Sequence, residues 1–186
     1  MGFRGLRLTG ELRTPHLMSL HVVMGVSGCG KSSVARMLAE AGGGDFLDAD
    51  DFHPPANRAK MAAGIPLQDE DRWGWLDLLN AELASRSDSS RPTFLACSAL
   101  RRVYRERLSS GLPGLRFIYL KGSRECIGER LAARTGHFMP AALLESQFAT
   151  LEEPREGEAL IVPIDQSLDE VVRSALGQID SDGSAR

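Results

Sequence analysis

Five short apolar runs punctuate the chain: LHVVM (20–24), DFLDA (45–49), TFLACS (93–98), RFIYLKG (116–122) and ALIVPI (159–164). None alternates strictly between apolar and polar positions, which is the pattern of strands covered on both faces. Helical spacing fills the intervals. After the first run Val34, Leu38 and Ala41 recur at i, i+4 and i+7 with Met37 beside them, and the glycines at 42–44 stop that helix. Ile127 and Leu131 share a face after the fourth run, and Leu168, Val171, Val172, Ala175, Leu176 and Ile179 do so after the fifth. Strand and helix alternating in this way predict an open α/β fold, a five-stranded parallel sheet in a three-layer α/β/α arrangement. Ligands in such sheets sit beyond the carboxyl ends of the strands.

The first strand runs into GVSGCGKSS, in which Gly25, Gly30, Lys31 and Ser32 satisfy G-x-x-x-x-G-K-[ST] between a strand and a helix. The glycines let backbone N–H groups turn onto a phosphate, the helix N-terminus adds partial positive charge, Lys31 reaches the β- and γ-phosphates, and Ser32 supplies a magnesium ligand. A nucleoside triphosphate is therefore expected on Gly25, Val26, Ser27, Gly28, Cys29, Gly30, Lys31, Ser32 and Ser33. Cys29 reads as a small loop side chain rather than a nucleophile.

The third run ends in Cys97 and Ser98, not in the acid a motor NTPase carries there. The acids stand at the end of the second, where Asp48 and Asp50, two apart, would point to one side of an extended strand. One carboxylate on magnesium and one taking a hydroxyl proton would suit phosphoryl transfer to an alcohol; aspartates of a turn or helix cap give the same letters. The segment from His53 to Trp75 carries His53, Asn57, Arg58, Lys60, Asp69, Asp71 and Arg72 and either walls a polar acceptor pocket or forms a solvated helical face. Trp73 and Trp75 read as packing residues. Arg130 and Arg134, one helical turn apart before TGHF, are either lid arginines that neutralise the transferring phosphoryl group or a basic surface face.

Length and composition narrow the setting. With 186 residues and 42% hydrophobic side chains the chain fits one domain, read here as 18–180 between an extension at 1–17, with Met18 an alternative start, and a polar, disordered tail at 181–186. A formal charge of −3 gives no general pull toward nucleic acid or anionic membrane. Three widely spaced cysteines without a C-x-x-C pair suggest neither a disulfide framework nor a zinc site, so a cytoplasmic setting is expected. No apolar run approaches a membrane span; Arg4, Arg7, Glu11 and Arg13 interrupt any signal-peptide core, and Leu6 stands where a myristoylation site has Ser or Thr.

GVSGCGKSS, FLDADDFHP, NRAKMAAGIPLQDEDRWGWL, CSALRRVYR, FIYLKG, RTGHFMP and SQFATLEEP together resemble the gluconokinase family of small P-loop kinases, over about residues 20 to 179. The resemblance implies a fold similar to shikimate and nucleoside monophosphate kinases, with a lid, and transfer of the ATP γ-phosphoryl group to the 6-hydroxyl of D-gluconate with Mg2+. It implies phosphate and metal contacts at Lys31 and Ser32, a metal-side carboxylate at Asp48 and a base at Asp50. Arg130 resembles an adenine-stacking position, the loop from Pro163 through Asp165 to Gln166 an adenine seat, and Arg134 a lid arginine near the phosphates. His53, Lys60, Arg72, Arg105 and His137 are implied as acceptor contacts, and a homodimer as the assembly. Two positions depart from the family pattern: Asp51 replaces an apolar residue, and Gly74 a proline. The remaining alternatives are a related kinase of shikimate or another hydroxy acid, and a nucleotide-binding regulator that performs no transfer.

Overall fold

The computed structural model describes residues 20–132 and 141–184. The N-terminal extension, Arg134 and His137 lie outside the described residues. All five predicted strands form: β1 (Leu20–Met24), β2 (Asp45–Asp48), β3 (Thr93–Ala96), β4 (Arg116–Lys121) and β5 (Leu160–Pro163). They make one sheet in the order β2-β3-β1-β4-β5, every neighbouring pair parallel.

Both faces of that sheet are buried, which is why the strands read as unbroken apolar runs. Val23, Phe94, Ile118, Leu120 and Val162 face one side, packed under helices α1 (Lys31–Gly42), α5 (Arg124–Ala132), α6 (Ala141–Thr150) and α7 (Leu168–Ser184). Val22, Met24, Leu95, Phe117 and Tyr119 face the other, against α3 (Asp69–Ala84) and α4 (Arg102–Ser109). α2 (Pro55–Ala62) lies in the segment between β2 and α3.

α1 buries Val34, Ala35, Leu38 and Ala39, while Ala41 is exposed. The expected i, i+4, i+7 stripe thus shifts by two residues at its end, since the small side chains of Ala35 and Ala39 let the helix lie close on the sheet. The helix stops as its glycines predict, with Gly43 left-handed at φ 61. Leu168 is also largely exposed at the start of α7. That helix runs through Ser184, into the segment 181–186 expected as a disordered tail; Ser181 Oγ donates to the Gly177 carbonyl at 2.8 Å, and Asp182 meets Arg116 at 3.0 Å.

Candidate active site

The loop between β1 and α1 is shaped by its neighbours. Gly25 N–H donates to the Ser98 carbonyl at 3.3 Å, fastening the loop to the end of β3. Gly30 is left-handed at φ 99, a conformation that L side chains strain to adopt, and its carbonyl accepts the Val34 N–H at 2.9 Å to open α1. Gly28 lies against α5, so closely that an added Cβ would stand 2.7 Å from Leu131 Cγ. Val26 and Cys29 turn their side chains into the core, and burial pushes the Cys29 thiol pKa up, in keeping with a packing role. Lys31 Nζ donates to the Val26 carbonyl at 3.0 Å, and Ser27 N–H donates to Gln147 Oε1 at 2.6 Å.

Across from this loop β2 ends at Asp48, and Ala49–Phe52 turn as a 3-10 helix. Asp50 is therefore not two residues along an extended strand, and the shared orientation of the two acids has another cause. Asp48 caps the turn: Oδ1 accepts the Asp50 N–H at 3.2 Å, while Oδ2 accepts from Ser32 Oγ at 2.8 Å. One carboxylate thus serves as a cap and as a partner of the phosphate loop, and the turn sends both acids to the same cleft. Asp50 projects into that cleft. Its protein surroundings, and after them the Asp48 charge, raise its pKa above the usual carboxylate range. Asp51 is exposed and is not part of the cleft wall.

The cleft encloses about 880 Å3, within the range of roughly 300–1,000 Å3 typical of small-molecule sites. Beyond Asp50 its wall contains His53, Arg72 and Trp75. His53 is buried, stacks on Trp75 with ring centroids 4.2 Å apart, and lies 3.9 Å from Asp50; burial lowers its pKa, so the ring is neutral at pH 7. Trp75 Nε1 donates to the Ala49 carbonyl at 2.9 Å and fixes the 3-10 turn from below. Arg72 donates to the Leu67 carbonyl at 3.3 Å and stands over the Tyr104 ring, its guanidinium carbon 5.7 Å from the centroid.

Two residues expected as acceptor contacts stand outside the cleft wall. Lys60 pairs with Asp71 at 2.5 Å and takes no part in the cleft wall; the same Asp71 accepts the Gln68 N–H at 2.9 Å in a capping box that starts α3. Arg105 is 5% exposed and serves the backbone, donating from Nη1 to the carbonyls of Ala99, Leu100 and Glu152 at 3.2, 3.2 and 3.0 Å. It holds Ala99 at φ 43, an uncommon left-handed conformation for a side chain with a Cβ.

In their place the structure brings Arg101 and Tyr104 to the cleft, both bonded to Asp69, with the Tyr104 hydroxyl donating to Oδ1 at 2.5 Å. The hydrogen bonds from Tyr104 and then Arg101 hold the Asp69 carboxyl well below its ordinary pKa. The signal for Arg101 was its position directly after the CSAL strand end; a single arginine among the three of RRVYR gives no basis for choice without the helix register. Ser98, Ser146, Gln147 and Thr150 also line the cleft.

At the other side of the phosphate loop Arg130 donates to the carbonyls of Ile164 and Gln166, the latter at 3.1 Å, beside the exposed Pro163 and Asp165. Among the described residues no helix is long and apolar enough to cross a membrane. The three cysteines are unpaired.

A family model described as an AAA domain matches residues 20–154. The thermoresistant gluconokinase of Escherichia coli (strain K12) is 46% identical over 165 residues, spanning 88% of this chain and 94% of that protein. The gluconokinase of Gluconobacter oxydans (strain 621H) is 46% identical over 140 residues, spanning 75% of this chain and 79% of that one. Among solved structures, a gluconokinase from Sinorhizobium meliloti 1021 aligns with a TM-score of 0.84 at 46% identity, over 91% of this chain and 96% of its own. A shikimate kinase from Acinetobacter baumannii aligns with a TM-score of 0.56 at 19% identity, over 88% and 94%, a likeness of fold.

Proposed function

The chain belongs to the gluconokinase family, and on that premise we propose that it transfers the γ-phosphoryl group of ATP to the 6-hydroxyl of D-gluconate, giving 6-phospho-D-gluconate and ADP. The observation that carries this reading is a single cleft in which Lys31, Ser32, Asp48 and Asp50 share one wall system with Arg72 and Arg101. The triphosphate lies on the backbone amides from Gly25 to Ser33, with Lys31 toward its β- and γ-phosphates.

Ser32 Oγ and Asp48 Oδ2, 2.8 Å apart, are hard oxygen donors of the kind Mg2+ takes, and it is bound in such sites by one or two protein groups together with substrate phosphates. Bound there, Mg2+ would neutralise charge on the β- and γ-oxygens.

Asp50 accepts the proton of the 6-hydroxyl as its oxygen bonds to the γ-phosphorus. The bond to the β–γ bridging oxygen breaks, and ADP leaves with that oxygen. Because Arg72 has no carboxylate within ion-pair distance among the described residues, it offers an unneutralised cation to the acceptor carboxylate, while Arg101, Tyr104, Asp69 and His53 supply donors and acceptors for its hydroxyls. Arg130 with Pro163 and Asp165 borders the adenine, and Arg134 and His137 keep the lid and acceptor roles that the resemblance gives them.

The domain of this reading is 18–180, in a cytoplasmic homodimer. A coupled assay of ATP consumption across D-gluconate, shikimate, glycerate and nucleoside monophosphates tests it. D-gluconate is expected to exceed the others clearly; equal activity on shikimate, or none on gluconate with magnesium present, overturns the acceptor.

A further inference from the structure

SQFATLEEP, singled out in the sequence, takes no part in the chemistry above, yet it touches both halves of the cleft. At its start Gln147 Oε1 accepts the Ser27 N–H of the phosphate loop at 2.6 Å. One turn on, Leu151 N–H closes the end of α6 on the Gln147 carbonyl at 2.9 Å. At Glu152 the chain meets the opposite wall. Its N–H donates to the Leu100 carbonyl at 2.9 Å, its carbonyl accepts from Arg105 at 3.0 Å, and its carboxylate accepts the Arg102 N–H at 2.6 Å and approaches Arg101 at 3.7 Å. The helix between cannot slide freely, since Leu144 is buried in the core and Phe148 packs against it beneath Arg124.

We propose that residues Gln147–Glu152 form a strap that sets the distance between the phosphate loop and the acceptor wall, with Gln147 the positioning residue at its donor end. The inference rests on the kinase reading above for its kinetic consequence and on geometry alone for the strap. Ser27 is the loop residue fastened by a side chain 120 positions away, so its place is set by α6 as well as by the glycines around it. Phosphoryl transfer depends on in-line placement, and a misplacement on the order of 1 Å can cost about 100-fold in rate. A carboxamide suits the position because it accepts the N–H without adding negative charge beside the triphosphate.

Gln147→Ala and Gln147→Glu separate the possibilities. The alanine variant loses the bond to Ser27, and kcat with D-gluconate is expected to fall roughly 10- to 100-fold while the KM values for ATP and gluconate stay within about threefold. The glutamate variant still accepts the N–H, so its kcat at saturating ATP is expected to stay within about threefold of the parent and its KM for ATP to rise. An equal loss of kcat in both variants would make Gln147 a direct donor to the reacting group and overturn the positioning role. Unchanged kcat in the alanine variant would overturn it as well. Amide hydrogen exchange reads the strap without any acceptor: residues 25–29 are expected to lose protection in Gln147→Ala and to keep it in Gln147→Glu. Equal protection in the parent and the alanine variant sinks the strap, whereas a parent inactive on gluconate with normal loss of protection sinks the acceptor assignment alone.

Discussion

Ser32 Oγ and Asp48 Oδ2 are joined by a hydrogen bond of 2.8 Å, which ties the first turn of α1 to the last residue of β2. If this pair borders the magnesium, Asp48→Asn removes the charge and keeps the shape. The Mg2+ concentration for half-maximal activity is then expected to rise roughly 10- to 100-fold. An unchanged magnesium titration would move the metal elsewhere.

Asp50→Asn is expected to lower kcat by about 10² to 10⁴, the worth of a positioned general base, with little change in the KM for ATP. Asp51, outside the cleft wall, should tolerate the same change with a far smaller loss. Single-turnover measurements on both variants decide the matter, and a reversed ranking would assign the proton to Asp51.

Arg72→Ala should raise the KM for gluconate markedly and that for ATP much less. Lys60→Ala should leave both nearly unchanged, because Lys60 is paired with Asp71 outside the cleft wall, where solvent screens the interaction. A larger gluconate effect at Lys60 than at Arg72 would reverse the reading of the acceptor wall.

Arg105→Ala takes the guanidinium from three carbonyls; that of Leu100 keeps the Glu152 N–H, while those of Ala99 and Glu152 lose their donor. Each buried acceptor left unpaired costs about 1–3 kcal/mol, so a loss of at least roughly 2 kcal/mol and a lower Tm are expected. Thermal unfolding checks this; a variant as stable as the parent with a raised gluconate KM would restore Arg105 to the acceptor site.

Burial holds the His53 pKa below its ordinary 6.5. The unfolded chain therefore takes up this proton first, and stability is lost as pH falls from about 6.5 to the lowered folded value, then levels off. The groups that bear on the ring are Asp50, which favours the charged form, and Arg72 and Arg58, which oppose it. Tm measured against pH should fall less steeply in His53→Gln than in the parent; parallel curves would remove His53 as the cause.

The five strands and the phosphate loop were legible because each depends on residues adjacent in the chain: apolar runs make strands, and glycines with lysine make a cradle. Asp48 was legible as an acid at a strand end, but its double use was not, since the 3-10 turn that makes it a cap depends on Trp75 reaching back to Ala49. That Lys60 and Arg105 stand outside the cleft wall was not legible, for one physical reason. A cation in a polar segment looks the same whether it faces a ligand or an internal acceptor, and only the folded chain shows Lys60 of α2 paired with Asp71 of α3 and Arg105 of α4 turned back onto the 99–100 backbone and the Glu152 carbonyl. Gln147 was hidden for the complementary reason, as its partner is a backbone N–H that no sequence pattern displays.

The stacking of His53 on Trp75 has a practical consequence. The indole lies against a ring 3.9 Å from Asp50 while its N–H is held by Ala49, so its surroundings change with whatever occupies the acceptor end. The chain has two tryptophans, and the other, Trp73, sits edge-on to Tyr104. In Trp73→Phe, emission from the remaining tryptophan would report acceptor binding in real time, with no label attached and no coupled reaction to follow.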